Sequence, residues 1–229
     1  MQRWITNLCF AALISFLMMA LPTQAQDKST GQFIMDPIFE AAANNDIALL
    51  QQRLASGVPV DASNSEGKTA LLVATHANAI EAARFLIESG ANVNAMDNIQ
   101  DSPFLYAGAE GKLEILKMTV GAGADLDSTN RYGGTALVPA AHHGHVDVVR
   151  YLLTTKINKD HVNKLGWTAL LEAVILGDVS STYQQIVTLL VDAGADILIA
   201  DNEGVTPLHH AKRRNQSEIV AILENVRKN

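Results

Sequence analysis

The sequence predicts an all-α solenoid of stacked helix-turn-helix units, and three observations lead there. An anchor hydroxyl recurs as Thr69, Ser102, Thr135, Thr168 and Thr206, at spacings of 33, 33, 33 and 38 residues. A fixed period of that length marks a repeat architecture. Apolar residues make up 48% of the chain with only 5% aromatics, so the apolar content rests on Ala, Leu, Val and Ile. That composition suits close helix packing better than an aromatic-rich sandwich. Glycine also returns at fixed offsets, at Gly90, Gly123 and Gly194, where it can end a helix with positive φ at no steric cost.

The first 25 residues are of a different kind. MQRWITN carries one charge, Arg3; LCFAALISFLMMAL is apolar but for one serine; PTQA follows. These read as the n-region, h-region and cleavage site of a secretion signal. The apolar run is shorter than the roughly 20 residues that span a bilayer. Thr23-Gln24-Ala25 places small residues where a signal peptidase reads, so cleavage is expected after Ala25. The alternative, an uncleaved anchor, is disfavoured by Pro22 and those small residues. Cys9, the single cysteine, leaves with the signal, and the mature chain then has no thiol. Residues 26–31, QDKSTG, form a polar leader. The formal charge is −7, and loss of Arg3 makes the mature chain one unit more negative. Nucleic acid and anionic membrane are therefore disfavoured as partners. A short signal with a single Arg before a thiol-free domain points to a bacterial periplasm.

The rest of the chain aligns on one template. The copies are GKTALLVATHANAIEAARFLIESGANVNA from Gly67, GGTALVPAAHHGHVDVVRYLLTTKIN from Gly133, GWTALLEAVILG from Gly166 and GVTPLHHAKRRNQSEIVAILENV from Gly204. A weaker copy, QDSPFLYAGAEGKLEILKMTVGAGADLDS from Gln100, fills the gap. Upstream, DPIFEAAANNDIALLQQRLASGVPVDA from Asp36 keeps the pattern, with Asp36-Pro37 in place of Thr-Pro. A Thr or Ser before the first helix of each unit can cap its free amides, and Pro103 and Pro207 suit the first helical position. Pro139 falls in the first turn, where its missing amide costs little.

These copies resemble the ankyrin repeat, whose pattern runs D-x-x-G-x-T-P-L-H-x-A-A-x-x-G-H, then V-x-x-L-L-x-x-G-A-D-V-N-A. The resemblance implies helix pairs joined by β-hairpin loops, in six repeats: 32–63, 64–96, 97–129, 130–162, 163–200 and 201–229. The first and last act as caps with a polar outer face. The fifth is longer, its surplus lying in or near GDVSSTYQQ between its helices, either as a tolerated surface insertion or as a contact loop.

The histidines carry the chemistry-bearing alternatives. His142, His143 and His145 are close in sequence, but adjacent helical residues point about 100° apart, and a zinc site needs three or four converging ligands. No metal and no cofactor is expected. In the resemblance His145 stands at the Gly-His turn and His209 at the Thr-Pro-Leu-His position, both structural; His76 and His210 read as ordinary surface residues. No G-x-S-x-G, H-E-x-x-H, Walker-type loop or cysteine nucleophile occurs, so catalysis has no visible apparatus.

A repeat stack presents a concave face of hairpin tips and first helices. The family's variable positions fall on Asn98, Ile99, Asp101, Ala109 and Glu110, on Arg131, Tyr132, Gly134, His142 and His143, and on Lys164, Leu165, Trp167, Ile175 and Leu176. Exposed apolar clusters mark contacts, and Trp, Tyr and Arg dominate interface hot spots. The candidate partner-binding set is therefore Ile99, Arg131, Tyr132, His142, His143, Leu165, Trp167, Ile175 and Leu176, with Trp167 as an exposed anchor. The competing expectation is that Trp167, Ile175 and Leu176 pack beneath the fifth-repeat insertion.

The expected function is non-catalytic binding of one protein partner by a monomer. Small exported ankyrin proteins suggest oxidative-stress defence, or alternatively immunity to a toxin delivered into the periplasm. A histidine-based metal-binding or enzymatic role is the alternative of another class. Cleavage after Ala25 should give a mature chain beginning at Gln26, checked by intact mass; retention of Met1 would refute the signal.

Overall fold

Six pairs of helices form among residues 36–226, the part of the chain that the computed structural model describes. The signal and leader expected over residues 1–31, and the start of the first repeat, lie outside these residues. The pairs are α1 (Pro37–Ala43) and α2 (Ile47–Ala55), α3 (Ala70–Ala77) and α4 (Ile80–Glu88), α5 (Pro103–Ala109) and α6 (Leu113–Gly121). Then come α7 (Leu137–His142) and α8 (Val146–Leu152), α9 (Ala169–Leu176) and α10 (Ser181–Asp192), and α11 (Pro207–Arg213) and α12 (Ser217–Val226). First helices pack in one row and second helices in another, each against its own partner and its neighbours in the stack.

Capping hydroxyls start three of the first helices. Thr69, Ser102 and Thr168 each accept from the amide three residues on, at 3.2 Å. Asp36 does the same work for α1, accepting from Ile38 N at 2.9 Å, and its carboxylate also pairs with Arg53 at 2.8 Å. The capping expected of Thr135 and Thr206 is absent. The Thr135 hydroxyl has no partner: with Pro139 in the first turn, Val138 N turns to the Thr135 carbonyl at 3.1 Å instead. The Thr206 hydroxyl is engaged by His209 Nδ1 at 2.7 Å.

The loops between repeats are hydrogen-bonded hairpins rather than strands; among the described residues one isolated bridge, Ser63 with Thr69, is found. Each hairpin is built on one Asn or Asp. Asn64, Asp97, Asn130, Asn163 and Asp201 each accept, through Oδ1, from the amides two and four residues later, at 2.9–3.1 Å. The backbone amide of each also donates to the carbonyl four residues on. Neighbouring hairpins are braced to one another: Asn98 N donates to Glu66 O and Lys164 N to Tyr132 O, both at 3.0 Å. Asn98 and Lys164, two of the variable positions, thus serve the scaffold.

The core is a ladder of Leu, Ile, Val and Ala between the two helical rows, with Phe104, Leu71, Leu116 and Leu152 fully enclosed. Small residues let the first helices approach closely. Gly108 on α5 lies so near Ala136 that an added Cβ would sit 2.8 Å from the alanine methyl. The fifth repeat takes its extra residues as a longer turn after Leu176 and as the 12-residue helix α10. Tyr183 of α10 reaches back to donate to His142 O at 2.7 Å. From the sixth repeat, Arg214 donates to Gly177 O at 3.3 Å and Gln216 to Val174 O at 3.1 Å.

Four hairpins place glycine in the left-handed region, at Gly67, Gly133, Gly166 and Gly204, whereas the second, begun by Asp97, has Gln100 at φ +66. A residue with a Cβ is strained there. Replacing Gln100 by Gly should raise unfolding stability by about 1 kcal/mol, read as a higher urea midpoint at unchanged slope; a lower midpoint would show that the glutamine side chain carries contacts worth more than the strain.

Candidate interaction groove

The repeat sets two rows of side chains facing each other. Counting from the anchor hydroxyl, the residue four places on is Val73, Tyr106, Pro139, Glu172 and His210; seven places on stand His76, Ala109, His142, Ile175 and Arg213. Spaced three and four apart on a helix, these share one face. Opposite them stand the hairpin tips, two residues after each Asx: Glu66, Ile99, Tyr132, Leu165 and Glu203, all exposed. Between tips and first helices in the middle of the stack runs a groove of about 610 Å³.

Seven of the nine sequence-derived residues line this groove: Ile99, Arg131, Tyr132, His142, His143, Leu165 and Leu176. Ile99 is 50% exposed, Tyr132 57%, Leu165 53% and Leu176 41%. Trp167 and Ile175 are not part of it, and both are half-buried. Trp167 is therefore not the exposed anchor expected from its template position. The cause is general to the hairpins. The residue four places after the Asx returns its backbone to that Asx, and Lys68, Asp101, Gly134, Trp167 and Val205 are all half-buried or buried.

Polar groups of the groove sort into satisfied and open. His143 Nδ1 and His145 Nε2 both donate to Ala109 O, at 2.6 and 3.0 Å, so the His145 ring ties the fourth repeat to the third. Among the described residues no His, Cys, Asp and Glu group of three or more has metal-holding geometry. Two histidines read as ordinary surface are not so. His210 donates to Asp201 Oδ2 at 2.7 Å. His76 is stacked on Tyr106 with ring centroids 3.7 Å apart, and its Nε2 is buried without a partner. Burial holds His76 below the usual histidine range, helped by nearby Lys68. Arg131 lies over the Tyr132 ring at 4.8 Å and stands 3.6 Å from Asp101. Burial, with Asp97 beside it, raises the Asp101 carboxyl.

Glu172 was not among the sequence candidates. Its side chain is 7% exposed; Oε1 accepts from Asn163 Nδ2 at 2.9 Å, while Oε2 has no hydrogen bond. His142 Nδ1 lies 3.5 Å from Oε2, a pairing that needs a protonated ring, and burial together with His143 holds His142 below its ordinary range. Burial raises the Glu172 carboxyl, opposed by the Asn163 bond and His143. The signal that could have found it is the row four places after the anchor hydroxyl, which the family's variable set omits.

Glu172 ionises later in the folded than in the unfolded chain, so the folded state binds more protons above the ordinary value of 4.5, and stability falls as pH rises through that window. Glu172→Gln keeps an oxygen for Asn163 and removes this loss. Its Tm relative to the parent should therefore climb between about pH 4 and about pH 7; a gap that stays constant would show the carboxylate to be compensated in the fold.

Three copies of a model described as ankyrin repeats match residues 9–97, 38–127 and 104–201. Among solved structures, the chain is similar to an ankyrin repeat domain from Acinetobacter baumannii, at 58% identity and TM-score 0.81, over 83% of this chain and 97% of that one. A second ankyrin repeat protein of known crystal structure is 42% identical, with TM-score 0.79, over 84% of this chain and 98% of the other. No curated protein matches. Ankyrin repeats mediate protein–protein interaction, and no helix of the described residues is long and apolar enough to cross a membrane. By sequence model, by identity over most of its length and by its stacked helix pairs, the chain belongs to the ankyrin-repeat family.

Proposed function

We propose that this chain is an exported, non-catalytic binding module that holds one protein partner in its concave groove. One observation carries the reading: Ile99, Tyr132, Leu165 and Leu176, four large apolar side chains left in solvent, border the same groove. Contiguous exposed apolar surface on a folded domain marks a contact, whereas scattered exposed residues need no explanation. The tip residues among them project from hairpins held by Asn and Asp side chains, so their removal leaves the scaffold bonds intact. Arg131 and Tyr132, stacked together at the centre, are of the types that dominate interface hot spots.

The proposed compartment is the periplasm, on the strength of residues 1–25, and the proposed service is oxidative-stress defence, which family resemblance alone suggests. Recovery of a toxin as the partner would replace it by the immunity reading. The test compares the parent chain with Ile99→Ala/Tyr132→Ala/Leu165→Ala as baits in periplasmic extract. The expected result is an unchanged helical circular dichroism spectrum and a loss of at least about 2 kcal/mol, some thirty-fold, in affinity for the retained protein. Equal retention by the triple variant would overturn the groove as the binding site.

A further inference from the structure

The groove is mostly apolar, yet a carboxylate stands in its floor with one buried oxygen that accepts no hydrogen bond. Glu172 is more than nine-tenths buried, lines the groove, and hydrogen-bonds within the fold only through Oε1, with His142 Nδ1 standing 3.5 Å from Oε2. Its neighbours along the groove are Pro139, which has no amide to give, the apolar Val138, and His142. A buried acceptor left open in a native structure is costly and asks for an explanation. The fixed charges of the groove point the same way. Asp101, Glu110 and Glu172 face it against Arg131 alone, and Arg131 is already beside Asp101.

Resting on the interaction groove proposed above, we infer that the partner presents a basic side chain, flanked by apolar ones, and that its cationic group completes Glu172 Oε2. The flanking apolar side chains lie against Tyr132 and Leu165, one hairpin apart, while the cation enters between them toward α9. A cation matches the site in charge, supplies the missing donor, and gains from the low-dielectric walls that make the empty carboxylate costly. An acidic or apolar side chain at that place would leave Oε2 opposed or unpaired, and a neutral donor would pair it without matching its charge.

Three synthetic tripeptides test this, acetyl-Leu-Lys-Leu-amide and its norleucine and glutamate analogues, titrated into the purified full chain and followed by NMR. The Asn163 side-chain amide, bonded to Glu172, is the local reporter. The lysyl peptide should move that signal and bind about ten-fold or more tighter than the norleucyl peptide, the size expected of one charge-assisted hydrogen bond. Glu172→Gln, which retains the Asn163 bond, should bring the two within about two-fold while leaving weak apolar binding. Equal affinities for all three peptides in the groove of the parent chain, a comparison that needs no variant, would overturn the basic anchor and leave the groove reading standing. Failure of every peptide to perturb groove signals at about 10 mM, with the triple tip variant still retaining its partner, would remove the groove and the anchor together.

Discussion

In each of the last five repeats, one side-chain oxygen carries two backbone amides, and the concave face depends on that arrangement. Asn64, Asp97, Asn130, Asn163 and Asp201 close their hairpins so that the residue two places on projects into solvent and the residue four places on turns back to the stack. A short polar side chain that can bond its own following amides is suited to this work. Because the anchor hydroxyls fall five residues later, helix start and hairpin tip keep a constant offset. The tips line up as one wall of the groove and the first helices as the other. Bonds from hairpin to hairpin, through Asn98 and Lys164, join the first hairpin to the second and the third to the fourth.

The helices were legible because their period and punctuation agree. Anchor hydroxyls, Pro at the first helical position and glycines with positive φ each have a local physical reason to stand where they do, and five copies in phase leave little freedom. Where the local rule failed, a neighbouring residue decided it. Thr135 does not cap because Pro139 tightens the first turn of α7, and Thr206 does not because His209 takes its hydroxyl. Neither effect can be read from a repeat template that treats each position alone.

The site was legible in part, for a related reason. Ile99, Tyr132 and Leu165 sit at hairpin tips, where sequence position alone determines exposure. Trp167 sits two residues further on, and the family's habit of varying that position does not say how far its side chain is covered. Glu172 escaped notice because a lone acidic residue in an apolar helix is ordinarily a solvated one. Its character comes from Asn163, nine residues earlier, and from walls supplied by the fourth repeat. His76 likewise acquires its stacked partner from Tyr106 in the next repeat. Contacts between repeats, rather than within them, hold the information that a single unit lacks.

Solenoids of this kind lend themselves to duplication and loss of units, since one interface resembles the next. The fifth repeat is an exception. Tyr183 is fastened to the carbonyl of His142 on one side, while Arg214 and Gln216 are fastened to the end of α9 on the other. A copy of this unit placed elsewhere in the array would meet neither the carbonyl nor the donors it is cut to receive, and an ordinary unit put in its place would leave those same groups stranded. The fourth, fifth and sixth repeats are thus keyed in a fixed order, and a unit inserted or removed at that junction would strand these side-chain bonds.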